Sequence, residues 1–560
     1  MRSHLRVLAP LALVMALVLG ACAPTAQPAP ATPAPAATKA PVAPAPTATK
    51  APATPKRGGN LIGVLGANVP SLDVQQESTV NTDIIVAPVY NRIVQYDTET
   101  SSKIVADLAE SWDVSPDGKV YTLRIRQGVT FHDGSPLTAD DIAFNLQRLI
   151  TPPQGVASRY APLLRPSFDK VVKVDNRTVQ LHLKTPLAMT MAVLTTGSTS
   201  MYPKSVVEAK GNMKTSAVGT GPFKLDTYTP AVGAELVRNP AYFVTGRPYL
   251  DRLSVRIVTD SATRIAALRT GQAHMTARVF TTLTPGEMES LKATNPSMQF
   301  FASPSPLGPA FSMNTRRPPF EDVRVRKAIS LALDRQAAIK ILAEGQGAIG
   351  KLIFFGDWGV PADEIKTWPG FRAKDTPGGK EDVATAKKLM SDAGFAEGFD
   401  LEILSRTNRI TQTSATFMTE QLRPLNIRAK IRVMEDAAFF DSAQRGQFQA
   451  VVYTPVYSTP DPGVIVSNYL APGGSLNYSH EKDDRLKQLN SAQLGAVQEA
   501  QRRQLIREAE EYATKDLVGL MPIVWPYTFI AVAPQVRGFK SGISDYVHNG
   551  NLFEVLWMDQ

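Results

Sequence analysis

Between Ala23 and Pro55 the chain is built almost entirely of Ala, Pro and Thr with a few Lys, and it carries no aromatic residue. Nothing in such a tract can bury enough apolar surface to offset the entropy of ordering. It cannot form a layer of a packed domain. It reads instead as an extended, semi-rigid tether of about 3 Å per residue, up to roughly 100 Å long. Folding is therefore confined to the residues after the tether, where "RGGNLIGVL" opens the body near residue 58. About 500 residues remain, too many for one ordinary domain, so two or three lobes are expected.

What precedes the tether points the same way. "MRSHLRVLAPLALVMALVLGAC" has Arg2 and Arg6, an apolar run from Val7 to Leu19, and then small residues. The run is too short to span a bilayer, and the pattern is that of a secretory signal peptide over 1–21. Cys22 is the one cysteine of the chain, which excludes an internal disulfide and a multi-cysteine metal site. Removing Arg2 and Arg6 leaves 58 basic residues against 51 acidic ones, a net charge of +7. That excess is mild and scattered, so it does not read as a nucleic-acid face; weak attraction to an anionic membrane surface fits it better.

The body alternates strand and helix patterns without a repeat. In "GKVYTLRIRQGVTF", Tyr121, Leu123 and Ile125 point one way and Val120, Thr122, Arg124 and Arg126 the other, a half-buried strand. Asp133-Gly134 supplies a turn. In "TADDIAFNLQRLI", Ile142, Leu146, Leu149 and Ile150 repeat at helical spacing, with Thr138 at the N-cap and Asp141 completing a capping box. The dense "FHDGSPLTADD" is thereby accounted for by turn and cap chemistry, and His132 alone is no metal site. "DSATRIAALRTGQAHM" predicts a helix with Ile265 and Leu268 inward and Gly271 as C-cap. "FEDVRVRKAISLALDRQAAIKILAEG" predicts one long helix. "FDLEIL" and "RAKIRVM" flank the helical "SATFMTEQLRPL" as a βαβ unit, "EAQRRQLIREAEEYATKD" is amphipathic, and "MPIVWPYTFIAV" is an apolar strand region. The class is mixed α/β.

Catalytic patterns are weak or missing. Gly345 to Gly350 matches G-x-G-x-x-G but follows a helix, so Gly345 reads as a helix C-cap and not as a dinucleotide loop. No P-loop, H-E-x-x-H or G-x-S-x-G occurs, and the six His are scattered. The basic run Arg316, Arg317, Arg324, Arg326 and Lys327 reads as a solvated face with local ion pairs. Trp358 and the tyrosines of "YTPVYSTPDPG" are loop aromatics, either satellite core or pocket lining.

Two resemblances add to this reading. Leu19-Gly20-Ala21-Cys22 resembles the lipobox of bacterial lipoproteins, which implies cleavage before Cys22 and lipidation of that residue. "LAESWDVSPDGKVYTLRIRQGVTFHDGSPLTADDIAFNLQRL" resembles the signature of the family 5 extracellular solute-binding proteins, the dipeptide-, oligopeptide- and nickel-binding components of ABC importers. The likeness continues through "PSLD", "GTGPFKLDTY", "RNPAYF", "FSMNTRRPPFEDVRVRKAISLALDR" and "DAGFAEGFDLEIL", with His274 standing where the family usually has Asp.

The resemblance implies a bilobal α/β periplasmic-binding-protein fold with an extra subdomain in the first lobe. The expected organisation is a signal peptide over 1–21 and the lipidated cysteine with its tether over 22–57. Lobe I with its subdomain follows over 58–310, lobe II over 311–524, and a return to lobe I over 525–560. Hinge crossings are expected near Phe311–Asn314 and Met521–Trp525. The implied protein is a monomer held to the outer face of the membrane by its lipid. It would bind a small solute or short peptide, deliver it to ABC permease subunits, and need no cofactor, metal or nucleic acid.

The same resemblance places Tyr453, Thr454, Val456, Tyr457 and Ser458 at the ligand. Where peptide-binding members carry Gly-Trp and then an amino-binding Asp, this chain has Thr454, Pro455 and Ser458. Pro455 has no N–H for an extended peptide, and Ser458 cannot neutralise an ammonium. Arg406 and Arg409 lie in the loop that supplies a carboxylate-binding Arg in dipeptide-binding relatives. The expected ligand therefore has an anionic or neutral polar end at Arg409 or Arg406 and stacks on Tyr457 or Trp358. Alternatives are a peptide with Asp461 replacing the missing acid, a metal chelate, an oligosaccharide or an organic anion, a sensor that never meets a permease, and a secreted hydrolase.

Overall fold

The computed structural model describes residues 54–559 other than 77–80, 98–102, 153, 155, 157, 159–160, 277–280, 306, 355–357, 456–460 and 541–551. The signal segment, Cys22 and the tether up to residue 53 lie outside the described residues. Pro55–Gln560 forms one compact unit by itself.

Three sheets organise that unit. In the large sheet the order is Gln299–Pro304, Val524–Val532, Met275–Thr276, Asn60–Leu65, Arg252–Ile257, Gly233–Arg238 and Phe223–Thr229, with Gly347–Ile349 also paired to Val524–Val532. Asn60–Leu65 runs parallel to both its neighbours, and the other pairings are antiparallel. Its core gathers Leu61, Leu65, Phe223, Leu236, Leu253 and Val532.

The second sheet runs Arg428–Met434, Asp400–Arg406, Ala450–Tyr453, Ala310–Met313, Leu520–Pro522. Asp400–Arg406 is parallel to Arg428–Met434 and to Ala450–Tyr453, as the βαβ pattern requires. The intervening helix, Arg409–Leu422, buries Ala415, Phe417 and Met418 against Ile403 and Val452. The chain passes from the large sheet to the second between Pro304 and Ala310 and returns between Pro522 and Val524; Phe311–Met313 lies within the second sheet.

A third, antiparallel sheet orders Ala109–Val114, Val120–Ile125, Thr178–Leu183 and Phe168–Lys173. Tyr121, Leu123 and Ile125 are its buried row, as the alternation predicts. Helix Ala139–Ile150 begins with the full capping box: Asp141 N–H donates to the Thr138 hydroxyl, and the Asp141 carboxylate accepts from Thr138 N–H at 2.9 Å. Gly134 holds the preceding turn at φ +89°.

Some expectations need correction. The long helix is two, Val323–Ala332 and Arg335–Leu342. Asp334 breaks it by accepting from the N–H groups of Gln336 and Ala337, the cap role in which Asp competes with helix continuation. Arg326 is buried, not solvated, and its guanidinium donates to the carbonyls of Phe320 and Leu517. Gly271 and Gly345 lie just beyond the caps Thr270 and Ala343, in the left-handed conformation at φ +75° and +78°.

Candidate functional site

A cavity of about 700 Å³ lies where the four-stranded sheet meets residues of the 358–503 region. One wall is apolar. Trp112 and Ile104 face it from the edge of the four-stranded sheet and its neighbouring ribbon, with Met191 beside them, all three partly buried against that sheet's core. The other wall carries charge. Helix Glu499–Tyr512 begins there, and Glu499, Arg502 and Arg503, at i, i+3 and i+4, share one face of its first turns. Trp358 and Asp461 complete that wall. Two further lining residues meet across the cavity's apolar side, where Ala188 N–H donates to the Leu494 carbonyl at 2.8 Å. Val464 is buried there in one apolar cluster with Tyr121 and Leu187.

The electrostatics are set by two ion pairs of different character. Asp461 and Arg502 form a bidentate pair at 2.6 and 2.7 Å, with side chains only 4 % and 6 % exposed. Arg502 also donates to Gln493 Oε1 at 3.1 Å, and Asp461 accepts from Gly463 N–H at 2.8 Å. Gly463 leaves room for this pair, since a Cβ there would sit 2.4 Å from Arg502 Nη2 and would have to displace it. Arg503 pairs with Glu499 at 2.7 Å, and its guanidinium lies 4.3 Å from the centre of the Trp358 ring, a cation–π stack. Lys103 lines the rim, and among the described residues no acidic side chain meets its ammonium. Tyr96, beside Asp461, is held well above the usual phenol range, chiefly by burial.

The sequence-predicted residues fall in three places. Trp358 is in the cavity wall. Tyr453 ends its strand buried, its ring edge-on to Tyr478 at 4.9 Å, and Thr454 follows it half-buried. Arg406 ends the neighbouring strand, is bound by Asp436 at 2.5 and 2.8 Å, and stacks over Phe440 at 4.9 Å. Arg409 is the exposed first residue of helix Arg409–Leu422, behind the cap Asn408. Neither arginine is among the cavity's lining residues. Val456, Tyr457 and Ser458 lie outside the described residues. Sequence reasoning missed Trp112, Arg502 and Arg503. Nothing in a linear pattern pairs Asp461 with a partner 41 positions away.

His132 is occupied structurally. Its Nδ1 accepts from Gly219 N–H at 3.4 Å and its Nε2 meets the Gly221 carbonyl at 3.0 Å, while burial pushes its pKa down to about 4. His274 likewise accepts from Ile62 N–H through Nδ1 at 3.2 Å. Among the described residues no group of three His, Cys, Asp or Glu could hold a metal ion.

This bilobal α/β arrangement, with a cavity walled by separate parts of one unit, is that of a solute-binding protein. Residues 103–477 match the family described as bacterial extracellular solute-binding proteins, family 5 (middle), and the chain belongs to that family. It is similar to the glutathione-binding protein GsiB of Salmonella typhi, 30% identical over 383 residues, which covers 67% of this chain and 70% of that protein. Its fold is similar to HbpA2 from Haemophilus parasuis, with a TM-score of 0.78 and 22% identity over 90% of this chain and 100% of that one. It is also similar to the ABC transporter-associated periplasmic binding protein DppA from Helicobacter pylori in complex with peptide STSA. There the TM-score is 0.68 and the identity 25%, over 90% of this chain and 99% of that one. The chain is thus a substrate-binding component of an ABC importer that works outside the cytoplasm. Family and relatives alike are binding proteins, and among the described residues no helix is long and apolar enough to cross a membrane.

Proposed function

We propose that this protein captures a small peptide-like solute with an anionic or neutral polar end in the cavity between Trp112 and Trp358, and does no chemistry on it. The observation that carries this reading is the state of the cavity's carboxylates: Asp461 is saturated by Arg502, and Glu499 is paired with Arg503. Asp461 therefore does not stand in for the missing amino-binding acid, because pairing an ammonium with it would strip a buried guanidinium of its partner. With Lys103, Arg502 and Arg503 against Asp461 and Glu499, the lining carries one positive charge in excess among the described residues. A carboxylate or polar end would meet Lys103 or Arg503, a planar group would stack on Trp358, and an apolar flank would pack on Trp112 and Met191. The relatives' solutes, glutathione and the peptide STSA, support the peptide-like class.

Closure about the two passages at 304–310 and 522–524 would seal the solute from water. Cys22 would carry the lipid that keeps the monomer near its permease, with residues 23–57 as tether. A thermal-shift panel tests the ligand class: glutathione, free dipeptides, their N-acetylated forms, and dicarboxylates. A solute at 100 times its Kd adds about 2.7 kcal/mol of stability. Acetylation should leave a peptide's effect intact, and small-angle scattering with the best solute should show a smaller radius of gyration. Strong stabilisation by simple dipeptides that acetylation abolishes would overturn the reading, and an unchanged scattering profile would overturn the hinge.

A further inference from the structure

Helix Glu499–Tyr512 does more than present Arg502 and Arg503. Seven residues beyond Arg503, two turns along the same face, stands Glu510. Its side chain is fully buried, and both carboxylate oxygens accept backbone N–H groups: Ile353 N–H at 2.8 Å and Val360 N–H at 2.6 Å. Those two donors bracket the stretch that carries Trp358. Gly359 passes so close that a Cβ would lie 2.4 Å from Glu510 Oε2. Lys351 Nζ donates to the Val360 carbonyl at 2.7 Å, and Trp525 Nε1 donates to the Lys351 carbonyl at 2.9 Å. Phe354 stacks on Trp525 at 4.2 Å. One helix therefore holds the cation above the Trp358 ring and, two turns on, the carboxylate that fixes the backbone on either side of that ring.

We infer that Glu510 is a positioning residue for solute capture, tying Ile353 and Val360 to the helix so that Trp358 and Arg503 keep one geometry in the cavity wall. This rests on the reading that the cavity holds the solute. A buried carboxylate suits the task because charge-assisted bonds to two N–H groups are stronger than any neutral pair would make. Around it the charged groups are Lys351, which favours the ionised form, and Arg507, whose guanidinium is already bound to Glu364 and Glu511. Burial outweighs them and pushes the Glu510 pKa up to about 7. Below that pH the protonated acid can accept from the two amides only weakly, and the tie should loosen.

The test isolates Trp358 emission as the difference between the full mature protein and its Trp358→Phe variant, and measures acrylamide quenching from pH 5.5 to 8.5. In the unaltered protein, quenching of Trp358 should fall as pH rises through about 7. Glu510→Gln should raise it several-fold and abolish the pH step, and Glu510→Asp should restore part of the protection. Equal quenching in all three, or a flat pH profile in the unaltered protein, overturns the proposal; the flat profile decides even where a variant fails to fold. A separate arm keeps the cavity reading distinguishable. If glutathione or an N-acetyl dipeptide stabilises Trp358→Ala as much as the unaltered protein, the cavity is not the solute site, while the quenching result still judges Glu510.

Discussion

Replacing Asp461 by Leu leaves the Arg502 guanidinium in a site where its side chain is 6 % exposed, with only Gln493 to satisfy it. Breaking a buried pair from one side costs about 3–5 kcal/mol. The two acceptors of Gln493 and the flank of Trp358, 5.5 Å away, place the cost near the lower end. Unfolding entropy of about 2.1 cal/mol/K per residue gives roughly 1 kcal/mol/K for a body of about 500 residues, so ~3 kcal/mol appears as a Tm lowered by about 3 °C. Arg502→Met should cost a similar amount, because among the described residues Asp461 then keeps only Gly463 N–H. The double variant Asp461→Leu/Arg502→Met removes both charges and should lie within about 1 kcal/mol of the unaltered protein, a coupling of several kcal/mol in a double-mutant cycle. Calorimetry of the four proteins at one pH measures it. If the two single effects simply add, the pair is not a buried, mutually compensating unit, and Asp461 is then available to an ammonium.

Two further outcomes follow from the titrating groups and the leader. Glu510 and Asp107 are both buried acids whose pKa values burial raises to about 7. The folded protein holds these protons more tightly than the unfolded chain. Their contribution is fully present below the ordinary carboxylate range and is lost as pH rises through about 7. Between pH 6 and 8 each should remove about 1.4 kcal/mol. His132, lowered to about 4 by burial, acts in the opposite sense and only below its ordinary value near 6.5. Tm should therefore fall from pH 6 to pH 8, and less steeply in Glu510→Gln; a Tm that rises over that interval contradicts the assignment. At the other end of the chain, the proposed lipidation predicts that Cys22→Ser should leave the signal uncut or release the protein, since a lipid chain contributes about 0.8 kcal/mol per buried CH₂. A processed variant that still fractionates with membranes would count against lipidation.

Much of the fold was legible because it rests on local chemistry. The row Tyr121, Leu123, Ile125 and the Thr138–Asp141 box are written in consecutive residues, and the parallel βαβ unit follows from two β-rich runs around a helical one. Where the reading slipped, a polar side chain chose backbone over solvent. Asp334 capped a new helix inside an apparently continuous one, and Arg326 turned inward to carbonyls. The site was far less legible. Trp358 could be suspected as a loop aromatic, but its neighbours come from positions as distant as Trp112 and Arg503. Arg406 shows the converse hazard: a loop-edge arginine looks poised for an anion until Asp436, 30 residues on, is seen to hold it. Charge complementarity between distant segments leaves no period in a sequence. A cavity's net charge, on which solute choice depends, therefore emerges only when the pairs Asp461–Arg502 and Glu499–Arg503 are seen to cancel and, among the described residues, Lys103 is left over.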